Sequence, residues 1–223
     1  MRARFTVDEI GRCALRIVER DGVAALSMRA VASQLNTGPM TLYNYVKGRE
    51  GLEDLVVDAI MDSLSLPQPT DDWRADLTAT ATALWEVLRA HPNAIPLILM
   101  RRSASVSALA PAEQMIAALS RSRLTEDDVL AAFRAVLALV TGSAQAEFAG
   151  NSAGTPVHDE ANAAGAVRIG ELAGDEYPHI AALAKVSDRS TAAEDFRRGL
   201  EILLQGIASV EQRPVRRRVS KMR

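Results

Sequence analysis

The chain of 223 residues is poor in the features that mark several classes of protein. Its single cysteine, Cys13, excludes an internal disulfide, and the helical apolar pattern around it favours core packing over reactivity. No run of about 18 apolar residues is present, which argues against a membrane span. The first residues, MRARFTVDEIG, lack the apolar stretch of a signal peptide. We therefore expect a cytoplasmic protein without membrane contact.

The alternation of apolar and polar residues that marks a half-buried strand is also missing. Hydrophobic residues make up 48% of the chain, and the commonest of them, alanine and leucine, favour helices. The sequence therefore predicts an all-α protein. Its apolar spacing predicts helices near 6–21, 27–35, 39–46, 49–64, 71–90, 92–101, 109–121, 125–149, 165–174 and 191–212, a helical turn near 178–185, and a mobile loop over 150–164.

Charge is spread unevenly along the chain, although the net charge is only −2. Residues 1–50 carry 8 Lys and Arg against 5 Asp and Glu, residues 51–212 carry 12 against 23, and residues 213–223 carry 6 against none. A basic N-terminal segment followed by an acidic remainder is typical of a protein that binds a polyanion at one end. For the basic tail, a solvated end is the favoured interpretation, and extra phosphate contact is the alternative.

Capping signals mark the ends of the first helices. The spacing of Thr6 and Glu9 predicts a capping box, and Gly22 reads as a helix stop. Ser27 is a suitable N-cap for a second helix, which NTG (36–38) ends. Pro39 then suits the first position of a third helix, because its missing N–H has no partner there. Two short helices joined by a turn of three residues with glycine fit a helix-turn-helix.

The segment TGPMTLYNYVKGRE (37–50) holds two of the three tyrosines of the chain. Leu42 and Val46 share one helix face and are expected in the core. The second helix of a helix-turn-helix enters the major groove of DNA, so the remaining side chains are candidate DNA contacts. They are Pro39, Met40, Thr41, Tyr43, Asn44, Tyr45, Lys47 and Arg49.

Each residue type in this set suits part of a DNA surface. Thr41 and the tyrosine hydroxyls can reach phosphates, and Asn44 can pair with the N6 and N7 atoms of adenine. Met40 or Pro39 can touch a thymine methyl group. The alternative is that Tyr43 or Tyr45 is a half-buried packing aromatic.

The segment LSMRAVASQLNTGPMTLYNYVKGREGLEDLVVDAI (26–60) resembles the DNA-binding domain of the tetracycline-repressor (TetR) family. By this resemblance Ser27 and Arg29 join the candidate DNA contacts. The chain departs from the family pattern at Asn36, usually glycine, and at Thr37, usually valine. Because asparagine tolerates a left-handed backbone, we expect the turn to survive. More loosely, segments 89–102, 124–149 and 177–184 resemble the regulatory domain of the branch around the tetracycline repressor.

The resemblance implies a three-helix helix-turn-helix DNA-binding domain at 1–64 and a larger helical-bundle domain for ligand binding and dimerisation at 65–223. It implies a homodimeric repressor that binds a near-palindromic operator and is released by an unidentified small molecule. The alternative is a constitutive DNA-binding regulator without an effector. The candidate ligand-binding residues are Trp85, Met100, Phe133, Leu137, Gln145, Glu147, Phe148 and His158.

Two apolar faces are candidates for the dimer contact. One lies on helix 125–149 and the other on helix 191–212, and either can instead close the core of one protomer. The faces comprise Val129, Ala132, Phe133, Val136 and Val140, and Phe196, Leu200, Leu203, Leu204 and Ile207.

An enzyme is not expected. The segment GNSAG (150–154), followed by Asp175 and His179, matches the order of a hydrolase triad, but that nucleophile elbow requires a preceding strand. His91, His158 and His179 lie far apart, and no metal-binding pair of cysteines or histidines exists. We expect neither a metal nor a cofactor.

Overall fold

In the computed structural model, residues 5–101, 106–149 and 158–211 are described, with side chains for all of these except 101, 147–149 and 158–164. The fold is all-α, as predicted. Short 3₁₀ turns at Val23–Ala25 and Pro92–Ala94 precede α2 and α6. The helices are α1 (Val7–Asp21), α2 (Met28–Gln34), α3 (Pro39–Leu42), α4 (Gly48–Met61), α5 (Trp73–Ala90), α6 (Ile95–Arg101), α7 (Leu109–Ser120), α8 (Glu126–Ala149), α9 (His158–Ala173), α10 (Pro178–Ser187) and α11 (Ala192–Glu211).

Local hydrogen bonds begin and end the first two helices. The Thr6 hydroxyl accepts from the Glu9 amide at 3.1 Å, and the Thr6 amide donates to the Glu9 carboxylate at 2.8 Å, so the predicted capping box is confirmed. Gly22 ends α1 with a φ of 79°, a left-handed conformation that favours glycine. Ser27 caps α2 by accepting from the amide of Ala30. These ends follow from residues at most four positions apart, which is why the sequence predicted them.

Four predicted elements differ from the structure. The helical turn predicted near 178–185 is the ten-residue helix α10. Helix α3 has four residues, not about eight, and continues to Val46 as turns. Helix α4 ends at Met61 and not at residue 64. Residues 158–164 form the first turns of α9, so the part of the expected loop that the structure describes is helical. The rest of that loop, 150–157, and the basic tail from residue 212 lie outside the described residues.

The core of the C-terminal part is closed by α5, α8 and α11. Trp85 of α5 stacks on Phe196 of α11, with ring centroids 4.6 Å apart and planes within 4° of parallel. Phe196 and Leu200 are buried, and so are Val136 and Val140 of α8. Most of the two faces expected to join two protomers thus packs inside one protomer. For the buried residues the alternative interpretation describes the structure, because α8 and α11 use them to cover α5. The other residues of the two faces are half-buried: Val129, Phe133, Leu203 and Leu204.

Helix α8 remains largely uncovered on its other side. The stretch Glu126–Ala146 has a hydropathy of 1.5, yet only 22% of that window is buried. By length and composition alone it could cross a membrane. The stretch is not an unbroken apolar run, because Arg134, Thr141, Ser143 and Gln145 interrupt it.

Helices α9 and α10 form a hairpin with a second exposed apolar surface. Gly170 of α9 lets Ala184 of α10 approach, since a Cβ on Gly170 would lie 3.3 Å from the Ala184 methyl. Seven large apolar side chains of the hairpin are about half exposed or more: Val167, Ile169, Leu172, Tyr177, Ile180, Leu183 and Val186.

The N-terminal and C-terminal helices meet at two places. Nδ1 of His91 lies 2.7 Å from the Glu19 carboxylate, and the Asn93 side chain donates to the Glu19 carbonyl at 2.7 Å. The second place is α4, which packs against α1 through most of its length and against α6 at its end.

A buried carboxylate fixes the segment that leads into α5. Asp76, 3% exposed, accepts from the Thr70 amide at 2.9 Å and from the Thr70 hydroxyl at 2.7 Å. Arg121 of α7 donates to Asp76 and to the Thr70 carbonyl. The hydrogen bond from the Thr70 hydroxyl, helped by Arg121, holds the pKa of Asp76 below its ordinary value against the opposing effect of burial.

This lowered pKa predicts a pH-dependent contribution to stability. A carboxylate with a depressed folded pKa stabilises above its unfolded pKa, about 3.9, and loses that contribution as the pH falls through the folded value. We expect Asp76→Asn to lower the Tm at pH 7 and to have less effect below about pH 3. Melting curves of both proteins from pH 7 down to pH 2 check this. Asp71 is an exposed neighbour, so Asp71→Asn should have nearly the same Tm as wild type at every pH. An effect of Asp76→Asn on Tm that does not change with pH would contradict the prediction.

Candidate nucleic-acid interface

The turn between α2 and α3 has the predicted backbone. Asn36 takes a φ of 50°, the left-handed conformation that its side chain tolerates, so the asparagine replaces the usual glycine. The Thr37 amide then donates to the Ala32 carbonyl at 2.9 Å, which closes the turn. Pro39 follows Gly38 as the first residue of α3.

Two buried side chains hold the segment 39–46 on the protein. Leu42 is fully buried and Val46 is 7% exposed. The amides of Tyr45 and Val46 both donate to the Leu42 carbonyl, at 2.9 and 3.0 Å. The backbone therefore stays helical in character past the end of α3, and Tyr43 and Asn44, between the two anchors, are exposed.

The outward side chains form one exposed group. Met40 is 76% exposed and Tyr43 is 52% exposed, values unusual for large apolar and aromatic residues. Asn44 and Lys47 are also exposed, while Thr41 and Pro39 are half-buried. On the preceding helix, Arg29 is exposed as well. An apolar, an aromatic, an amide and two cationic groups are thus exposed on α2 and on the segment 39–47, and these are group types that suit DNA edges and phosphates.

Tyr45 differs from Tyr43. It is half-buried, its hydroxyl accepts from the Phe5 amide at 3.3 Å, and its ring meets the Phe5 ring edge to face at 6.5 Å. For Tyr45 the packing alternative therefore describes the structure. It joins the start of the chain to the helix-turn-helix across 40 residues, a contact that no sequence pattern indicates.

Arg49 and Ser27 also have structural partners. Arg49 donates to the Glu53 carboxylate at 2.9 Å and to the Val23 carbonyl at 3.1 Å, and so ties the start of α4 to the turn after α1. Ser27 is half-buried as the N-cap of α2, although its hydroxyl proton is not used in that cap.

Two glycines that shape this region were not singled out from the sequence. A Cβ on Gly11 would lie 3.1 Å from the Leu55 carbonyl oxygen, so glycine permits the close crossing of α1 and α4. Gly48 takes a φ of 70° where the chain turns into α4. The signal for Gly11 was available, because this glycine sits inside the apolar stripe of α1.

A cavity of about 620 Å³ lies among α5, α6, α7 and α8. Phe133 and Leu137, both predicted ligand-binding residues, line it. The described side chains that line it are Met61, Leu84, Leu88, Ile98, Leu99, Ala108, Leu109, Pro111, Ala112, Met115, Ile116, Phe133, Arg134, Leu137, Ala138 and Thr141.

Other predicted ligand-binding residues lie elsewhere. Trp85 is absent from the lining, since it turns to Phe196 on the other side of α5. Met100 is 82% exposed, and Gln145 is exposed beyond the last lining residue of α8. The side chains of Glu147, Phe148 and His158 lie outside the described residues.

The residues that the structure describes do not form a hydrolase site or a metal site. GNSAG lies outside the described residues, and it follows α8, a helix, where the nucleophile elbow requires a strand. Asp175 and His179 are exposed. Among the side chains that the structure describes, no three His, Cys, Asp or Glu residues are grouped to hold a metal ion. His91 pairs with Glu19 instead.

Known proteins are similar to this chain along most of its length. Residues 66–210 match the model of the tetracyclin repressor-like C-terminal domain. An HTH-type transcriptional regulator from Saccharopolyspora erythraea is 34% identical over 92% of this chain and 85% of its own. The HTH-type transcriptional repressor DrrR1 from Streptomyces coeruleorubidus is 31% identical over 64% of this chain and 54% of its own.

Solved structures share the fold. The Streptomyces coelicolor TetR family protein ActR, in complex with actinorhodin, superposes with a TM-score of 0.77 at 24% identity, over 95% of this chain and all of that chain. The family model covers well over half of the residues, and the match to the first relative extends through the helix-turn-helix. The chain therefore belongs to the TetR family of transcriptional regulators.

Proposed function

We propose that this regulator is a homodimeric repressor that acts in the cytoplasm, binds a near-palindromic operator through residues 1–64 and is released by a small molecule bound in residues 65–223. One observation carries the DNA-binding part. Met40, Tyr43 and Asn44 are exposed on a short segment that the buried Leu42 and Val46 hold in place. Side chains with no role in packing, on a fixed helix after a tight turn, suit the major groove.

The roles within this surface differ by chemistry. Asn44 can donate to and accept from adenine together, so it reads a base. Lys47, Arg29 and the Tyr43 hydroxyl suit phosphates, which set register without reading sequence. Tyr45 and Arg49, given their protein partners, mainly position this surface.

Selection of binding sites from random-sequence duplex DNA tests the proposal. Selection with the wild-type protein should enrich near-palindromic DNA sequences, because a dimer with two-fold symmetry binds two symmetry-related half-sites. We expect Asn44→Ala to cost about 1–3 kcal/mol at one symmetric pair of base positions. Tyr43→Phe, which removes only a hydroxyl group, should weaken all sites alike.

Titrations of the selected site and of single-base variants measure both effects. Asp62→Asn serves as a control, because Asp62 is exposed at the far end of α4. If the Tyr43→Phe, Asn44→Ala double variant binds the selected site like wild type, these residues do not contact DNA.

The cavity supports the sensor over the constitutive regulator. Its volume of about 620 Å³ lies in the range of small-molecule sites, and most of its wall is apolar. Met61, the last residue of α4, forms part of that wall. Leu52, Val56 and Ile60 of the same helix are buried in the core beneath the helix-turn-helix.

Helix α4 is thus in position to link the two ends of the protein. A ligand that prefers one placement of α4 must bind the two states differently, and the linkage is reciprocal: operator DNA changes the affinity for that ligand by the same factor. The contacts of Glu19 with His91 and Asn93 form a second connection that a shift of the helices would strain.

The dimer is proposed on the uncovered sides of α8 and α11. Ala131, Ala135 and Gly142 recur at helical spacing on α8, and small side chains allow helices to approach closely. On α11, Ile202 is 63% exposed. A second copy of the chain is the occupant that the family suggests for these faces. The exposed side of the α9–α10 hairpin lies in the same half of the molecule and extends the apolar area available to a partner protomer.

A further inference from the structure

The cavity wall carries an uneven set of polar groups. Of the 16 lining residues that the structure describes, Arg134 is ionisable and Thr141 has the other polar side chain. No carboxylate is among these 16 residues. By contrast, residues 51–212 as a whole carry 23 acidic groups against 12 basic ones. The described wall of the cavity is therefore apolar with one guanidinium, in a part of the chain that is acidic overall.

The Arg134 side chain has no protein partner among the residues that the structure describes. It is exposed on α8, one turn from Leu137 and Ala138 of the cavity wall, at the border between the cavity and water. A guanidinium presents several N–H donors in a fixed fork that matches a carboxylate, sulfonate or phenolate oxygen. Its position lets it bind an acidic group while the apolar wall takes the rest of the molecule.

Thr141 defines the other end of the lining on the same helix. Its hydroxyl donates to the Leu137 carbonyl at 2.8 Å, so its oxygen retains acceptor capacity and no free proton. Arg134 and Thr141 are seven positions apart, which corresponds to about 10 Å along a helix. An elongated ligand can therefore place an anionic group at Arg134 and a hydrogen-bond donor at the Thr141 oxygen.

We propose that the cavity selects apolar organic anions and that Arg134 is the residue that binds the acidic group. This inference rests on the proposed function of the cavity as the effector site and adds the chemical class of the effector. Cations bind less well because the guanidinium repels them. Neutral molecules gain affinity only from contact with the apolar wall.

Two dyes of matched shape test the charge preference on the full-length protein. 8-Anilinonaphthalene-1-sulfonate carries a sulfonate, whereas N-phenyl-1-naphthylamine has the same ring system without it, and both fluoresce in apolar surroundings. We expect the sulfonate to gain about fivefold in affinity from Arg134, as for an ion pair at the edge of water. Arg134→Gln should remove that gain and leave the neutral dye unchanged, and Arg134→Lys should restore part of it.

Salt supplies a second measurement. Raising the salt concentration from about 0.05 to 0.5 M should weaken binding of the sulfonate dye to wild type, because salt screens the ion pair. The same change should have little effect on its binding to Arg134→Gln. Equal effects of Arg134→Gln on the two dyes, or on neither, overturn the charge preference.

Ala112→Phe separates the failure of this inference from the failure of the proposed function. Ala112 is half-buried in the cavity wall, so the larger side chain fills space there. If it displaces both dyes while Arg134→Gln acts on neither selectively, the cavity binds ligands without preference for anions. If Ala112→Phe displaces neither dye, the dyes bind elsewhere, and both the charge preference and the assignment of this cavity as the effector site are wrong.

Discussion

Leu42→Ala is expected to abolish operator binding at 37 °C while the C-terminal helices stay folded. Leu42 is fully buried, and removal of such a side chain costs about 2–5 kcal/mol. This loss falls on a helix of four residues, which has almost no stability of its own and depends on its two anchors. The segment 39–46 should therefore detach locally before the rest of the protein unfolds.

Three measurements on one preparation check this expectation. Operator titration should show loss of specific binding, hydrogen exchange should increase in residues 28–46, and binding of N-phenyl-1-naphthylamine to the cavity should persist. Met40→Ala is the matched control, because Met40 is 76% exposed on the same helix and its removal leaves no void. Normal operator affinity in Leu42→Ala would show that the segment is held by other contacts.

Local chemistry explains how far the sequence predicted this region. The Thr6 capping box, the Ser27 cap, the left-handed Asn36 and Pro39 at the start of α3 all depend on neighbours within a few positions. A pattern read along the chain contains those interactions completely. The exposed group of Met40, Tyr43 and Asn44 was predictable for the same reason, since it is what remains once two anchors are assigned to the core.

Contacts between distant residues account for what the sequence did not predict. Tyr45 meets Phe5 across 40 residues, and Trp85 stacks on Phe196 across more than 100. Because Trp85 packs on Phe196, its side chain points away from the cavity. The same packing buries part of the α11 face that was expected to join two protomers. An apolar stripe indicates that a helix face is buried, but it does not say whether the same chain or another one covers it.

Ile202→Glu is expected to split the homodimer and with it the operator complex. Ile202 is 63% exposed on α11 in the protomer, so a charge there does not disturb the fold of one chain. In an isologous interface each substitution occurs twice, and each carboxylate enters an apolar contact without a partner. A total penalty of about 3–5 kcal/mol raises the dissociation constant of the dimer more than a hundredfold. Sedimentation across a concentration series measures that constant directly.

The readouts separate assembly from folding. Ile202→Glu should keep the wild-type helical content and the binding of the neutral dye, yet lose specific operator affinity, because a single protomer contacts only one half-site. Ala79→Glu, at an exposed position of α5, introduces the same charge on another helix and should remain dimeric.

Gly206→Leu is a second, independent test of whether this side of α11 contacts the partner protomer. A Cβ at Gly206 meets open space within the protomer, so a bulky side chain there hinders only a neighbouring chain. If Ile202→Glu and Gly206→Leu both sediment as wild type does, this side of α11 faces solvent and the partner protomer binds elsewhere, with the exposed face of the α9–α10 hairpin the next surface to substitute.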